Sequence, residues 1–383
     1  MVLIPPLNGL ASLLGRWGVI ALTALLSQGC GEWEQGVPAM NEQEQQTVDA
    51  YTRTQAPVCI GRFQVAMPQQ LALGYSTLTV NDARISAKFT SRQMFQRFIR
   101  ERREELANTA TDDERDQPYL KKVYEIDPNT FIFDRNEAPH MPDAARVLEG
   151  YRRAGLTLFM VEIKATDVAG DRYTDMRASL ATNKPERLKQ VEYLLQNLIP
   201  RKAHDIPDTP GLCFEGGFLA GGAEEPIPGA ALPFREETVA MTFVDRQHRD
   251  VYIHFNANST IKTEDTLLDR MGQAESVMKA KGDDHFGVLR KGTLELQGIE
   301  QAEEWLGTVT TDEDVRGHHF MIEANSQRGS AREPRISVTF KNGEFSFGDD
   351  YQPSLDEASL TDAEAAGLWD AITRSFRARD NAF

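Results

Sequence analysis

The hydrophobic and polar positions along this chain follow two periods, and together they predict an α+β protein. Segments in which apolar and polar residues alternate are typical of half-buried β-strands, whereas apolar residues at every third or fourth position are typical of amphipathic helices. After Cys59 the pattern predicts short strands, one amphipathic helix, further strands and a closing helix. The same order starts again after Cys213. The sequence therefore predicts two similarly built lobes, each with an antiparallel-rich sheet and amphipathic helices, joined by a short linker.

Five helices are predicted from their start signals. Side chains of Ser, Thr and Asn accept hydrogen bonds from the backbone amides that a helix leaves free in its first turn. Glu364 completes a capping box with Thr361 at the start of the fifth helix. Gly282 marks the end of the fourth helix. The predicted helices begin at Asn41, after Ser91, at Asn183 and Pro185, after Thr263, and after Thr361.

Two hairpins are predicted from their turns. Arg152–Gly155 is expected to join a strand over residues 146–151 to one over residues 156–165. Asn342 and Gly343 have the composition that the tightest hairpin turns favour, and they are expected to join strands over residues 338–340 and 344–347.

The N-terminus carries an export signal. Arg16 precedes the apolar run Trp17–Leu26, which is too short to span a bilayer and fits the apolar region of a signal peptide. Gly29 and Cys30 resemble a bacterial lipoprotein processing site, although Ser27 stands where leucine is usual. We expect export to the periplasm and a lipid anchor through Cys30, with a plain secretory signal or a buried N-terminal helix as the alternatives.

These features divide the chain into four parts. Residues 1–29 are predicted to be the signal peptide, and residues 30–56 a tether with a short helix. Residues 57–203 and 204–383 are predicted to be two α+β domains of similar build. The polar, proline-containing segment 201–211 is the predicted linker between them.

Charge and cysteine content narrow the classes of function. The formal net charge is −16, which argues against a nucleic-acid partner because a basic surface is needed to neutralise phosphates.

If processing uses Cys30, the mature chain keeps Cys59 and Cys213. In an oxidising compartment such a pair is typical of a disulfide, but two buried free thiols are an equally open alternative.

Catalytic and metal-binding signatures are weak. Asp312, Asp314, Gly317 and Glu323 match calcium-loop positions, but Arg316 occupies a ligand position, so a turn between strands is the better interpretation. The neighbouring residues His318 and His319 point to opposite faces of a strand and cannot share a metal. His254 with Asp250 or Asn256 is the best candidate for a catalytic pair, but no nucleophile accompanies it. The sequence favours a protein that is not an enzyme and needs no cofactor.

Two motifs resemble a known family. The segment Cys59-Ile-Gly61-Arg62-Phe63-Gln-Val-Ala-Met-Pro68 resembles the opening of the N-terminal domain of the cognate immunity proteins of type VI secretion lipase effectors (Tle), subfamily four. The segment Gly211-Leu-Cys213-Phe-Glu-Gly216-Gly217-Phe218 resembles the opening of that family's C-terminal domain. Together with the element order, the resemblance covers about residues 50–380.

The resemblance implies a periplasmic protein without catalytic activity that binds and inhibits a cognate phospholipase toxin. It further implies that two lobes grip the effector and block its activation. The effector-binding residues are not identified by these motifs. The alternative is an envelope lipoprotein that binds a small ligand or a cell-wall component in the cleft between its lobes, and a hydrolase that uses His254 is a third hypothesis.

Overall fold

The computed structural model describes residues 36–282, 284–345 and 355–383. The predicted signal peptide and Cys30 lie outside these residues. Within them, no helix has both the length and the apolar character needed to cross a membrane. Residues 36–40 form no regular secondary structure, and the predicted first helix follows them with Asn41 as its N-cap.

The helices are α1 Glu42–Thr52, α2 Arg92–Asn108, α3 Lys184–Asn197, α4 Leu267–Lys281 and α5 Asp362–Thr373. The strands of the first half are β1 Gln55–Ile60, β2 Phe63–Pro68, β3 Leu71–Val80, β4 Ala83–Phe89, β5 Leu120–Asp127, β6 Thr130–Asn136, β7 Ala145–Ala154, β8 Thr157–Thr166 and β9 Leu198–Pro200. The strands of the second half are β10 Gly211–Phe214, β11 Gly217–Ala220, β12 Glu237–Asp245, β13 Val251–Asn258, β14 Gly287–Leu296, β15 Ile299–Thr310, β16 Arg316–Ala324, β17 Arg335–Asn342 and β18 Arg377–Ala378.

The two halves are built in the same order, which confirms the predicted repeat. Each half has four strands, one helix, four more strands, a closing helix and a short last strand. In the first half α2 and α3 occupy the two helical positions, and in the second half α4 and α5 do. The predicted α+β architecture with antiparallel sheets is therefore present.

One twelve-stranded sheet contains strands of both halves, in the order β14-β15-β16-β17-β13-β12-β3-β4-β8-β7-β6-β5. Its centre is the antiparallel pair of β3 with β12, which runs from Val80 opposite Glu237 to Leu71 opposite Asp245. Counted outward from this pair, the first half runs β3-β4-β8-β7-β6-β5 and the second half runs β12-β13-β17-β16-β15-β14. Equivalent strands of the two halves therefore occupy equivalent places. The halves are thus related by an approximate two-fold axis through the β3–β12 pair.

Two small sheets exchange strands between the halves. The hairpin β1–β2 of the first half pairs with β18, and the hairpin β10–β11 of the second half pairs with β9. Aromatic contacts follow the same exchange, because Phe63 packs on Phe376 and Phe159 packs on Phe214 at centroid distances of 5.5 and 6.3 Å. Each half therefore completes its fold with an element of the other.

One face of the large sheet carries the main hydrophobic core. Helices α3 and α5 and both small sheets pack against this face, which we call the covered face. Trp369 of α5 lies against Phe320 and Phe340, and Val191 and Leu195 of α3 come so close to Gly150 that a larger residue there would clash. Helix α1 packs on α5, and Thr361 donates a 2.8 Å hydrogen bond to Glu44.

The joint between the halves is locked on the covered face. Cys59 and Cys213 form a disulfide, and neither side chain is exposed. Next to it, Gly61 and Cys213 form a β-bridge. Arg62 donates hydrogen bonds of 2.8 and 2.7 Å to both carboxylate oxygens of Glu237, with both side chains buried. Arg62 therefore has a structural role: it pairs with a buried carboxylate near the centre of the molecule.

Two local predictions were right in kind and wrong in their bounds. Helix α4 starts after Thr266, whose capping box with Asp269 replaces the predicted cap at Thr263. The predicted hairpin of β7 and β8 forms, but its turn is Gly155 and Leu156, because residues 152–154 still pair with β8 and Gly155 supplies the positive φ that the turn needs.

The hairpin predicted at Asn342-Gly343 does not form in the described residues. Strand β17 has β13 on one side and β16 on the other, so neither edge is free for a partner at the turn. The Asn342 side chain is buried and donates to the backbone oxygen of Leu360. Residues 344 and 345 are not in a strand, and residues 346–347 of the predicted second strand lie outside the described part.

Replacing both Cys59 and Cys213 by alanine is expected to lower the free energy of unfolding by about 2–5 kcal/mol, because the cross-link joins residues far apart in the unfolded chain. Urea denaturation of the oxidised protein and of the variant measures the difference. A reductant should destabilise the wild-type protein and leave the double variant unchanged. Equal stability of the two proteins under oxidising conditions would contradict the stabilising role of this bond.

Candidate functional site

Five central strands of the large sheet, β17, β13, β12, β3 and β4, have no helix of the described residues over their second face. Side chains alternate between the two faces along each strand, and the partners across the register show which of them share this face. No helix among the described residues packs on this region, which we call the open face. Its residues are Ser337, Thr339, Lys341, Tyr252, His254, Asn256, Ala240, Thr242, Val244, Tyr75, Thr77, Thr79, Arg84 and Ser86.

Helix α2 covers one end of the same face. Its apolar residues Phe95, Ile99 and Leu106 form a cluster with Phe133 and Leu158 of the sheet. Successive members of this set are four and seven residues apart, so they lie on one side of the helix. Most charged residues on the other side of α2 are exposed to solvent.

Helix α4 covers the opposite end. Leu267 lies in a cluster with Phe286, Val288 and Trp305. The indole nitrogen of Trp305 donates a 3.0 Å hydrogen bond to Glu275 of α4. The two equivalent helices of the two halves therefore flank the open face from both sides.

A buried carboxylate fixes the position of α2. Arg102 donates hydrogen bonds of 3.0 and 2.6 Å to the two oxygens of Glu149 on β7, and Arg135 also donates to Glu149. Burial alone would raise the pKa of Glu149, but the hydrogen bonds of the two guanidinium groups outweigh burial and lower it. The carboxylate therefore stays ionised and holds the helix on the sheet.

An equivalent arrangement holds α4. Arg270 donates a 2.5 Å hydrogen bond to Glu323 on β16, and Arg335 on β17 donates one of 2.6 Å to the other oxygen of Glu323. The Glu323 side chain is almost fully buried. Both flanking helices are thus attached to the sheet by an arginine that binds a buried glutamate.

The open face has the composition of a protein-binding surface. Its centre is rich in Tyr, Thr, Ser and Asn side chains, which make hydrogen bonds with adaptable geometry at a recognition surface. Charged residues lie toward its margins, where Arg84 pairs with Glu162 at 3.8 Å and Lys341 pairs with Glu344 at 3.0 Å. A centre poor in charge with a charged rim is the usual anatomy of a protein–protein interface.

Tyr75 is the most prominent side chain of this face. It lies on β3 opposite Thr242, directly at the joint between the halves, and its side chain is 57% exposed. The register of β3 and β12 shifts beside it, between Thr242 and Phe243. Such irregularities re-aim neighbouring side chains.

A groove of about 960 Å³ runs beside Tyr75 at one end of the open face. Its walls include Tyr252, whose hydroxyl donates a 3.0 Å hydrogen bond to Glu344. Burial and the nearby Glu344 carboxylate raise the pKa of Tyr252, so the hydroxyl remains protonated and able to donate. The groove also contains Arg249 and Asp312, which place charges of both signs at its rim.

His254 lies in this groove without the partners of a catalytic pair. Its Nδ1 atom shares a 2.8 Å hydrogen bond with the Thr242 hydroxyl. Burial lowers the pKa of His254, so the imidazole is neutral at neutral pH. Asp250 is not its partner, because that carboxylate accepts hydrogen bonds from Gly343 and Ser359. The proposed pairing with Asp250 is therefore wrong.

The remaining candidates for a metal site are structural. Glu323, the last residue of the calcium-like pattern, forms ion pairs with Arg270 and Arg335. The pattern itself spans a turn and strand β16. His318 bonds Asp362 at 2.8 Å, while His319 packs on the edge of Trp305 on the other face. In the part of the chain that the structure describes, no group of three potential metal-ligating side chains occurs.

The residues of the two sequence motifs lie away from the open face. They form the opening hairpins on the covered face, where Phe63 is buried and Pro68 ends β2. Gly61 and Gly216 adopt positive φ in the hairpin turns, and Gly217 leaves no room for a Cβ beside Phe214 and Phe159. The motif residues therefore hold the halves together and do not form the exposed surface.

Sequence reasoning missed the residues of the open face. In the sequence, these residues stand out only as the polar positions that alternate with apolar ones in strands β3, β12, β13 and β17. Any strand with one face toward water has such positions, so the pattern does not single out a binding surface.

Comparisons with known proteins agree with this architecture. A chain of "The crystal structure of Tle4-Tli4 complex" is similar at a TM-score of 0.66 and 19% identity, covering 86% of this chain and 99% of that chain. "Apo structure of immunity protein TplEi of T6SS from Pseudomonas aeruginosa" is similar at a TM-score of 0.65 and 18% identity, covering 86% and 98%. The same immunity protein "complexed with 'L' peptide" gives a TM-score of 0.60 at 19% identity, covering 85% and 98%. At these identities the likeness concerns the fold.

No curated protein sequence matches this chain. Family models match both halves. The model described as the Tle cognate immunity protein 4 N-terminal domain matches residues 56–201, and the model of the C-terminal domain matches residues 205–381. The resemblance of the two cysteine motifs is confirmed by these matches, and the chain belongs to the Tle cognate immunity protein 4 family.

Proposed function

We propose that this protein is a periplasmic immunity protein that binds a cognate type VI secreted phospholipase on its open face and blocks the activation of that enzyme. The observation that carries the proposal is the centre of the large sheet between α2 and α4, which no helix in the described part of the chain covers, in a chain of an immunity family. The protein acts by occupying a surface of the effector and performs no catalysis.

The geometry supports a grip from two sides. Helices α2 and α4 rise at opposite ends of the open face, and each is attached to the sheet by an arginine and a buried glutamate. The β3–β12 pair, the disulfide and the Arg62–Glu237 ion pair hold the two ends in one fixed relation. A pre-organised surface loses little conformational freedom on binding, which favours affinity.

The central test is co-purification of the protein with the lipase-like product of the adjacent gene, with phospholipase activity measured in parallel. A stable one-to-one complex without activity is the expected result. An untouched lipase activity and no complex would reject the immunity function and favour a ligand-binding envelope protein.

Tyr75→Ala is expected to weaken effector binding by about 30-fold, because exposed tyrosines at the centre of an interface often contribute about 2 kcal/mol or more. Isothermal titration calorimetry with the purified effector measures the change. Phe89→Ala is the matched control, since Phe89 is an aromatic residue of the same sheet that is 68% exposed but lies at the end of β4, outside the open face. Equal losses in the two variants would remove the open face as the docking surface.

We further propose that Cys30 is acylated and anchors the protein to a membrane facing the periplasm. Cys30→Ala is then expected to abolish labelling by radioactive palmitate in cells and to move the protein from the membrane fraction to the soluble periplasmic fraction, because buried acyl chains supply the membrane affinity. A wild-type protein that is soluble and unlabelled would instead indicate a plain secretory signal.

A further inference from the structure

A second cavity, of about 690 Å³, lies at the joint between the halves on the covered side of the sheet. Its floor is formed by strands β3 and β12, and its walls by the hairpin β1–β2, the turn of the hairpin β10–β11 and the segment after β9. Both its size and its position between two halves are typical of sites for small ligands. Most of its lining residues lie away from the open face, and Ala72, Leu73 and Arg246 line both this cavity and the groove beside Tyr75.

The floor and one wall are apolar. Met241 and Phe243 of β12 lie beside Leu71 and Leu73 of β3, and Met67 lines the wall. Most of these side chains are almost fully buried, whereas Leu73 is half-buried and faces the cavity more openly. Methionine side chains adapt their shape to an unbranched apolar ligand. The floor therefore suits an alkyl chain.

The rim of the cavity carries mostly positive charge. Arg201 is fixed there by hydrogen bonds to backbone oxygens, including that of Phe214 at 3.0 Å. Arg246 is exposed, and within the described residues no carboxylate lies within ion-pair distance of its guanidinium group. His204 completes this side of the rim, and Glu215 is the one acidic residue among the lining residues. Arg246 is thus the group that is available for an anion at the mouth of an apolar cavity.

We propose that this cavity binds a fatty acid, with the acyl chain over Leu73 and Phe243 and the carboxylate on Arg246. A guanidinium group binds a carboxylate through two parallel hydrogen bonds, which gives both affinity and orientation. An apolar floor, with a guanidinium at its mouth that pairs with no carboxylate of the described residues, matches a ligand that has a single alkyl chain and a single anionic head. The inference concerns the protein alone and does not depend on the effector.

The experiment is a titration of the purified full chain, without effector, with palmitate below its micelle-forming concentration. We expect saturable one-to-one binding by calorimetry. Arg246→Gln is expected to weaken palmitate binding about tenfold, as for the loss of one charge-assisted contact. Leu73→Ser should also weaken it, through the loss of apolar contact.

Two controls separate the head group from the chain. Arg332→Gln removes another exposed arginine that does not line the cavity, and it should leave palmitate binding unchanged. Hexadecanol has the same chain without the charge, so its weaker binding should not respond to Arg246→Gln. The absence of palmitate binding, or equal palmitate affinity of wild type and Arg246→Gln, would overturn the proposal. Tighter binding of lysophosphatidylglycerol than of palmitate would overturn the choice of a fatty acid.

Discussion

The pairing of β3 with β12 is the interaction on which the rest of the structure depends. It joins two halves of the chain along a full strand, and every other strand of the large sheet follows outward from it. Without this pairing, each half would expose the backbone edge of its first long strand, which is a site of non-native pairing. The disulfide and the buried ion pair of Arg62 with Glu237 reinforce the same joint from the covered face.

The approximate two-fold symmetry about this joint explains why the two faces differ. The closing helices α3 and α5 share one face with the exchanged small sheets, and together they bury the core. The other helix of each half, α2 or α4, lies over the outer strands of its own half. Because the two-fold axis places equivalent strands on opposite sides of the joint, these two helices reach opposite ends of the sheet, and no helix among the described residues lies over its centre. A surface with two flanking walls thus follows directly from the repeat.

Local signals in the sequence predicted much of this fold. Ser91, Asn183 and Thr361 precede helices where the pattern placed them, and the element order after each cysteine is the same in both halves. The failures also have local causes. An Asn-Gly pair predicts a hairpin only if the strand before it has a free edge, and β17 has none. Thr263 and Thr266 are both capable caps, and only the three-dimensional position of α4 selects Thr266.

By itself, the sequence determined the class of fold, the repeated order of elements, the family and the absence of a convincing catalytic motif, because hydrophobic period, capping residues and short motifs act over a few neighbouring residues. The tertiary structure decided which strands of the two halves pair, which hairpins are exchanged and which polar strand positions form one continuous surface. Tyr75 and Thr242 are 167 positions apart in the chain and become neighbours only through the β3–β12 register. Contacts over such distances depend on how complete elements pack, and no local pattern of residues specifies them.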